Sequence, residues 1–140
     1  MKTILLAGGT GLIGKELSLK LKSEGYQVRI LSRQKSDYTK GIYNWNPYDG
    51  IIDAEAIKNV DIVINLVGEG IADKKWNEDR KKALIDSRVI PTNFLFKVFE
   101  KTSDLKQYIT ASGINCYGYQ HYDKKHTEED EYGKDYLSQV

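Results

Sequence analysis

Residues 4–14 read ILLAGGTGLIG, and few folds accommodate such a stretch. Ile4 to Ala7 form a short continuous apolar run, the pattern of a strand buried on both faces. Glycines follow at once. Gly8, Gly11 and Gly14 are spaced G-x-x-G-x-x-G, and Gly9, Gly11 and Gly14 also make G-x-G-x-x-G. Beyond them Ile13, Leu17 and Leu21 recur at helical spacing, and Gly25 suits a helix stop. The chain thus opens with a strand, a tight turn and a helix. In such a turn one glycine permits a positive φ, one lets a pyrophosphate approach the backbone, and one lets the helix pack closely on its strand. The helix N-terminus adds free N–H groups and the positive end of a dipole. Glycine-rich turns are common. The setting between a strand and an amphipathic helix is what makes Gly8, Gly9, Thr10, Gly11, Leu12, Ile13 and Gly14 candidate cofactor-binding residues.

The same alternation continues. Val28 to Leu31 predict a second strand and Ile42 to Trp45 a third, followed by a turn at NPYDG. Asp53 to Asn59 predict a short helix, and Asp61 to Val67 form the clearest strand of the chain. EGIADKKW reads as a loop and Asn77 to about Arg88 as a charged helix. Pro91 suits the first turn of a new helix or a kink within one longer helix. Phe94, Leu95, Val98 and Phe99 give the next segment an apolar face, and Lys106 to Ala111 predict a fifth strand. The remainder is polar and tyrosine-rich, a loop with a helix starting near its end. Strands alternating with helices imply right-handed crossovers and a parallel sheet covered on both faces. The expected architecture is therefore α/β, a Rossmann-type doubly wound parallel sheet of order 3-2-1-4-5, with residues 1–140 as one dinucleotide-binding domain.

The second strand decides the expected cofactor. A preference for NAD usually places Asp or Glu about 20 residues beyond the glycines, where it accepts from the ribose hydroxyls. Here the strand ends in Ser32 and Arg33, with Lys35 close by. An acid would repel a 2′-phosphate, whereas a guanidinium grips it and stacks on adenine. NADP(H) is expected over NAD(H), with Ser32 and Arg33 on the adenosine side.

Charge and composition narrow the partners. The net charge is +1, which gives no reason to expect nucleic acid or an anionic membrane. No stretch approaches the ~20 apolar residues that span a bilayer. No signal peptide is visible, and the single cysteine, Cys116, fits a reducing compartment. The expected location is the cytoplasm.

TILLAGGTGLIG, VRILSR, DIVINLVGEGIADKKWNEDRKKALIDSRV and ITASGINCYG together resemble the extended short-chain dehydrogenase/reductase superfamily. More narrowly they resemble its NAD-dependent epimerase/dehydratase branch of sugar-nucleotide epimerases, some members of which are labelled cell division inhibitors. Trp76, Glu78, Arg80 and Lys81, and the triplet Ser87-Arg88-Val89, carry the narrower likeness. The resemblance implies a longer parent with a C-terminal substrate domain, Val140 falling inside its next helix. It implies cofactor contacts at Leu66, Val67 and Gly68 besides the glycine turn, and a sheet-stabilising role for Asn65. It implies a small-molecule substrate, with a nucleotide sugar as the example the branch suggests, and hydride transfer to or from a nicotinamide.

The superfamily's Tyr-x-x-x-Lys pair, which exchanges a proton with substrate, has no match, since no tyrosine here has lysine four residues later. The helper hydroxyl's usual slot falls on Gly113, next to Ser112, and an asparagine of relatives falls on Arg88. Ser112 is the one candidate catalytic residue. A second reading stays open beside an oxidoreductase or epimerase, a nucleotide-sensing protein that binds cofactor without turnover. No metal site is expected from His121 and His126. Trp76 reads as a helix-start anchor or as a lid over the nicotinamide. The uncovered edge of the fifth strand, with Phe94, Leu95, Val98 and Phe99 as an added contact surface, predicts a homo-oligomer.

Overall fold

The computed structural model describes residues 1–102, 104–118 and 123–140. Six strands form one sheet. β1 (Thr3–Ala7), β2 (Gln27–Ser32), β3 (Ile42–Asn46), β5 (Ile62–Asn65) and β6 (Gln107–Thr110) run parallel, and β4 (Ile51–Ile52) pairs antiparallel to β3. The order is β4-β3-β2-β1-β5-β6. The five parallel strands thus follow the expected 3-2-1-4-5 order of a Rossmann-type sheet, and β4 is an addition at the edge beyond the NPYDG turn.

Alternation along β1 assigns the two faces. Leu5 and Ala7 join Leu31, Trp45 and Val63 against Leu95 and Phe99 of α3 (Glu78–Phe99) and Ala56 of α2 (Ala54–Ile57). Ile4 and Leu6 join Val28 and Ile64 against Leu17 and Leu21 of α1 (Leu12–Ser23). Burial of a leucine such as Leu95, fully enclosed, stabilises by roughly 1.5–3 kcal/mol.

Ile13 departs from the expected stripe, being 68% exposed. The buried positions of α1 are Gly14 and Ser18. Gly14 and Ser18 are the points of closest approach, Leu17 and Leu21 stay partly buried against the sheet, and Ile13 is turned outward. The strand expected over Asp61–Val67 is also shorter. Asn65 Oδ1 accepts from the N–H of Val67 at 3.1 Å, which satisfies that donor locally and ends the ladder. Asn65 is 2% exposed, and its Nδ2 donates to Thr92 Oγ1 at 2.9 Å. Asn65 therefore ties β5 to α3.

The two openings left for Pro91 resolve to one helix of 22 residues with Pro91 inside it. Asn77 caps that helix by accepting from Arg80 N at 2.7 Å, and Glu78 and Asp79 complement the dipole in its first turn. Leu95 and Phe99 are buried in the core, and Phe94 and Val98 pack against it. Leu95 and Phe99 are therefore not available as the contact surface expected of them, and Phe94 and Val98 are half-covered by the same core. The far edge of β6 is unpaired among the described residues. Among those residues no helix is long and apolar enough to cross a membrane.

Candidate functional site

A cleft of about 570 Å³ opens over the C-terminal ends of the parallel strands, where α1 and α3 leave the sheet on opposite faces. This is the point at which the strand order reverses, the usual ligand position in an open α/β sheet. The exit of β1 supplies Gly8, Thr10 and Gly11 to the cleft, and β2 supplies Ser32 and Arg33. The segment after β5 supplies Leu66, Val67 and Gly68.

The glycines divide their tasks by what surrounds them. Gly8 has φ +80, a conformation that side chains rarely adopt, and a Cβ there would lie 2.9 Å from the backbone of Leu66. A Cβ on Gly14 would overlap the carbonyl oxygen of Gly8 and stand 2.6 Å from Gly9 Cα. Gly14 is thus the close-packing glycine between helix and turn. Gly9 is pressed against Ile30, 2.8 Å from where its Cβ would be. Gly11 faces open space, with only Gly8 O at 3.4 Å. Gly11 also occupies the N-cap of α1, where no side chain caps the helix and no acid stands in the first turn. The first N–H groups of α1 are therefore available to an anion. Gly9, Leu12, Ile13 and Gly14 do not line the cleft. The side chains of Leu12 and Ile13 are 88% and 68% exposed.

The electrostatics of the cleft are one-sided. Its charged lining residues are Arg33 and Glu69. Glu69 is neutralised by Arg80, a guanidinium only 8% exposed, which also donates from Nη2 to Gly70 O at 2.8 Å. Arg33 is exposed, and among the described residues no carboxylate pairs with it. An unpaired cation therefore stands at the end of β2. Beside it Ser32 Oγ accepts from the N–H of Gln34 at 3.2 Å, which turns the chain.

The remaining walls were not foreseen from the sequence. Gln34, Trp45, Pro47, Tyr48, Glu69, Ser87 and Pro91 also line the cleft. Ser87 Oγ donates to Leu84 O at 2.8 Å and accepts from Glu69 N at 3.0 Å. Arg88 donates to Leu84 O at 2.9 Å and to Glu69 O at 3.2 Å. The Ser87-Arg88 pair and Arg80 thus fasten the loop after β5 to α3. Trp45, Pro47 and Tyr48 had one available signal: they lie at or just beyond the C-terminal end of β3, which must face the same cleft.

Ser112 is exposed beyond β6 and does not line the cleft. Trp76 donates from Nε1 to Ile71 O at 2.8 Å and meets Tyr136 edge-on at 5.4 Å. Tyr136 OH donates to Lys81 O at 2.9 Å, so α4 (Tyr136–Gln139) docks on the start of α3. Trp76 is an anchor in this arrangement rather than a wall of the cleft. His126 stacks on Tyr117 at 4.7 Å, and His121 lies outside the described residues.

Comparisons with known proteins agree with this geometry. A family model for the NAD dependent epimerase/dehydratase family matches residues 4–138. An epimerase family protein of Mycobacterium leprae is 33% identical over 138 residues, which are 98% of this chain and 44% of that relative. The crystal structure of the human epimerase family protein SDR39U1 with NADPH superposes with TM-score 0.78 at 27% identity, over 97% of this chain and 45% of that one. A nucleoside-diphosphate sugar epimerase of Corynebacterium glutamicum gives TM-score 0.80 at 30% identity, over 98% of this chain and 28% of that one. The chain spans less than half the length of each.

Proposed function

The chain belongs to the NAD dependent epimerase/dehydratase family, and from that premise we propose that residues 1–140 are the NADP(H)-binding part of an oxidoreductase or sugar-nucleotide epimerase. The unpaired Arg33 at the end of β2, in a cleft whose one lining acid is already neutralised, carries this reading.

The residues present fit a dinucleotide. The cleft lies within the ~300–1,000 Å³ of ordinary ligand sites. Gly11 and the uncapped start of α1 suit the pyrophosphate. Ser32 and Arg33 suit a 2′-phosphate, and Leu66 to Gly68 the adenosine ribose. When bound, the nicotinamide supplies hydride donation or acceptance. The chain's own part is to hold phosphates, to orient the ligand along the strand ends, and to exclude water with Trp45 and Pro91 beneath it.

A relative whose structure contains NADPH supports the choice of cofactor. The sugar-epimerase name of another supports a nucleotide sugar as the substrate of the whole protein, selected by a segment beyond this domain. Self-association through the open edge of β6 belongs to the same proposal.

The test is calorimetric titration of the chain with NADPH and with NADH. A charge-assisted contact is worth about 1.5–3 kcal/mol, so NADPH should bind roughly tenfold to a hundredfold tighter. Arg33→Ala should remove most of that difference. Equal affinities in the unmutated chain would end the NADP(H) reading.

A further inference from the structure

Arg33 belongs to a five-residue link, residues 33–37, between β2 and a short 3-10 turn at Tyr38–Lys40. Arg33, Gln34 and Lys35 are all exposed. An exposed link of this kind ordinarily fluctuates, and a cation on a moving backbone discriminates poorly, because binding must first order it. Here the link is held from β3, and one residue, Asn44, reaches three of its five positions.

Asn44 sits at the centre of β3. Its carboxamide Nδ2 donates to Gln34 O at 2.9 Å and lies 3.4 Å from Arg33 O, so it reaches two successive carbonyls of the link. Its backbone N–H donates to Ser36 Oγ at 2.9 Å, and its carbonyl accepts from Asp53 N at 2.9 Å. Ser36 Oγ in turn donates to the Asp53 carboxylate. Asp53 also caps α2, accepting from Glu55 N at 2.9 Å, and it accepts from Tyr38 OH at 2.9 Å. Burial opposes ionisation of Asp53, but the bonds from Ser36, Glu55 and Tyr38 outweigh it and hold the carboxyl below its ordinary range. The carboxylate is thus held ionised and committed to the network through Ser36, Glu55 and Tyr38.

We propose that Asn44, with Ser36, is the positioning residue for cofactor discrimination: it fixes the backbone of Arg33 and Gln34 so that the Arg33 guanidinium is presented to a 2′-phosphate. This rests on the NADP(H) reading above and adds to it the residue through which Arg33 acts. The staple touches only the link after β2. Neither the glycine turn of Gly8 to Gly14 nor the Leu66 to Gly68 segment shares a side-chain hydrogen bond with Asn44. Its loss should therefore fall on the phosphate that marks NADPH and spare what NADPH and NADH have in common.

The experiment is titration of the unmutated chain, Arg33→Ala, Asn44→Ala and Ser36→Ala with NADPH and NADH, with thermal unfolding of each. A hydrogen bond contributes about 1 kcal/mol, so Asn44→Ala should weaken NADPH by about fivefold and NADH by less than about twofold. Ser36→Ala, which leaves the carboxamide in place, should show the same selectivity at smaller size and covers the case in which Asn44→Ala fails to fold. A purely structural asparagine would weaken both cofactors together and leave their ratio unchanged, and that result overturns the proposal. If the unmutated chain prefers NADPH and Arg33→Ala abolishes the preference while both staple variants keep it, the positioning role is wrong and the NADP(H) reading stands. If the unmutated chain shows no preference, the NADP(H) reading falls and this proposal falls with it.

Discussion

The exits of β1 and β6 lie on the same C-terminal edge of the sheet, and both are rich in small or polar residues, Gly8-Gly9-Thr10-Gly11 in the first and Ala111-Ser112-Gly113 with Asn115 in the second. They could hardly be more differently constrained. Around the β1 exit, a Cβ on Gly8, Gly9 or Gly14 would meet neighbours at 2.9 Å or less. After β6, a Cβ on Gly113 would meet nothing nearer than Asn115 N at 4.0 Å, and Ser112 and Gly113 are exposed. The reason is position in the sheet. β1 has β2 on one side and β5 on the other, whereas β6 has β5 alone. A central strand exit is boxed in by its neighbours' exits and by the helix it feeds. An edge exit is free unless something further packs on it. In this chain the β1 exit, proposed above to hold phosphates, is boxed in by its own neighbours, and the β6 exit, where the sequence placed the catalytic candidate Ser112, is not.

The largest effect this contrast predicts is catalytic silence. The chain should bind NADPH and yet show no turnover on sugar nucleotides or small carbonyl compounds. Tyr117 is the described tyrosine nearest Ser112 in sequence beyond β6. Burial, and then the neighbouring Cys116 and acidic residues, push its pKa above the ordinary tyrosine value. It holds its proton more tightly, the reverse of what an acid–base tyrosine needs. General acid–base assistance is worth about 10²–10⁴ in rate, so only background hydride exchange is expected when absorbance of the reduced nicotinamide is followed. Turnover near ~1 s⁻¹ that disappears in Ser112→Ala would break the comparison, because the open exit would then be a finished active site.

The next effect is on stability. Gly14→Ala forces a methyl into the backbone of Gly8 and Gly9. Overpacking of this kind costs about 1–3 kcal/mol, only partly offset by the ~1 kcal/mol that alanine gains over glycine in a helix. NADPH binding should weaken with it, since the turn must shift. Gly113→Ala meets open space and should stay within about 0.5 kcal/mol of the parent. Urea midpoints of the two variants decide the matter, and equal shifts would show that the two exits are constrained alike.

The same contrast separates what could be read from the sequence. The run Ile4 to Ala7, the spaced glycines and the five parallel strands rest on short-range patterns, and all of these elements stand in the structure. What escaped depends on packing between distant segments. Ile13 fits the helical period but points outward, because Gly14 and Ser18 bring α1 against the sheet. Phe94, Leu95, Val98 and Phe99 read equally well as a core face or a contact surface, and only α3's placement against β1 and β5 decides for the core. Ser87 and Pro91 reach the cleft from a helix whose start is set by Asn77, more than ten residues upstream of Pro91. β4 is two residues long, too short for any period to mark. Gln34, Trp45, Pro47 and Tyr48 could have been found by following the strand order to every C-terminal end, rather than the glycines alone.

The smallest effect concerns how β6 is held at its other end. Asp61, just before β5, joins three strands. Its carboxylate accepts from Thr3 N at 2.8 Å and from Lys106 Nζ at 2.8 Å, while its carbonyl accepts from Lys106 N at 2.8 Å. The Lys106 side chain first, and the Thr3 N–H second, hold the Asp61 carboxyl below its ordinary value of 3.8. A lowered folded-state pKa means that this contribution is present in full above the unfolded value. It fades as pH falls below 3.8 and through the still lower folded value. Lys106 is raised above 10.5 by the same partner, so its share persists through neutral pH and is lost only as pH rises past its folded value. Asp61→Asn should therefore lower the urea midpoint slightly at about pH 7, and the two proteins should converge as pH drops below about 4. Hydrogen exchange should quicken at the β6 amides, whereas those of β2 keep their protection, because Asp61 contacts β1 and β6 but not β2. Faster exchange spread evenly over the sheet would mean that β6 is no more loosely held than the central strands, and the contrast between the two exits would then lie in their loops alone.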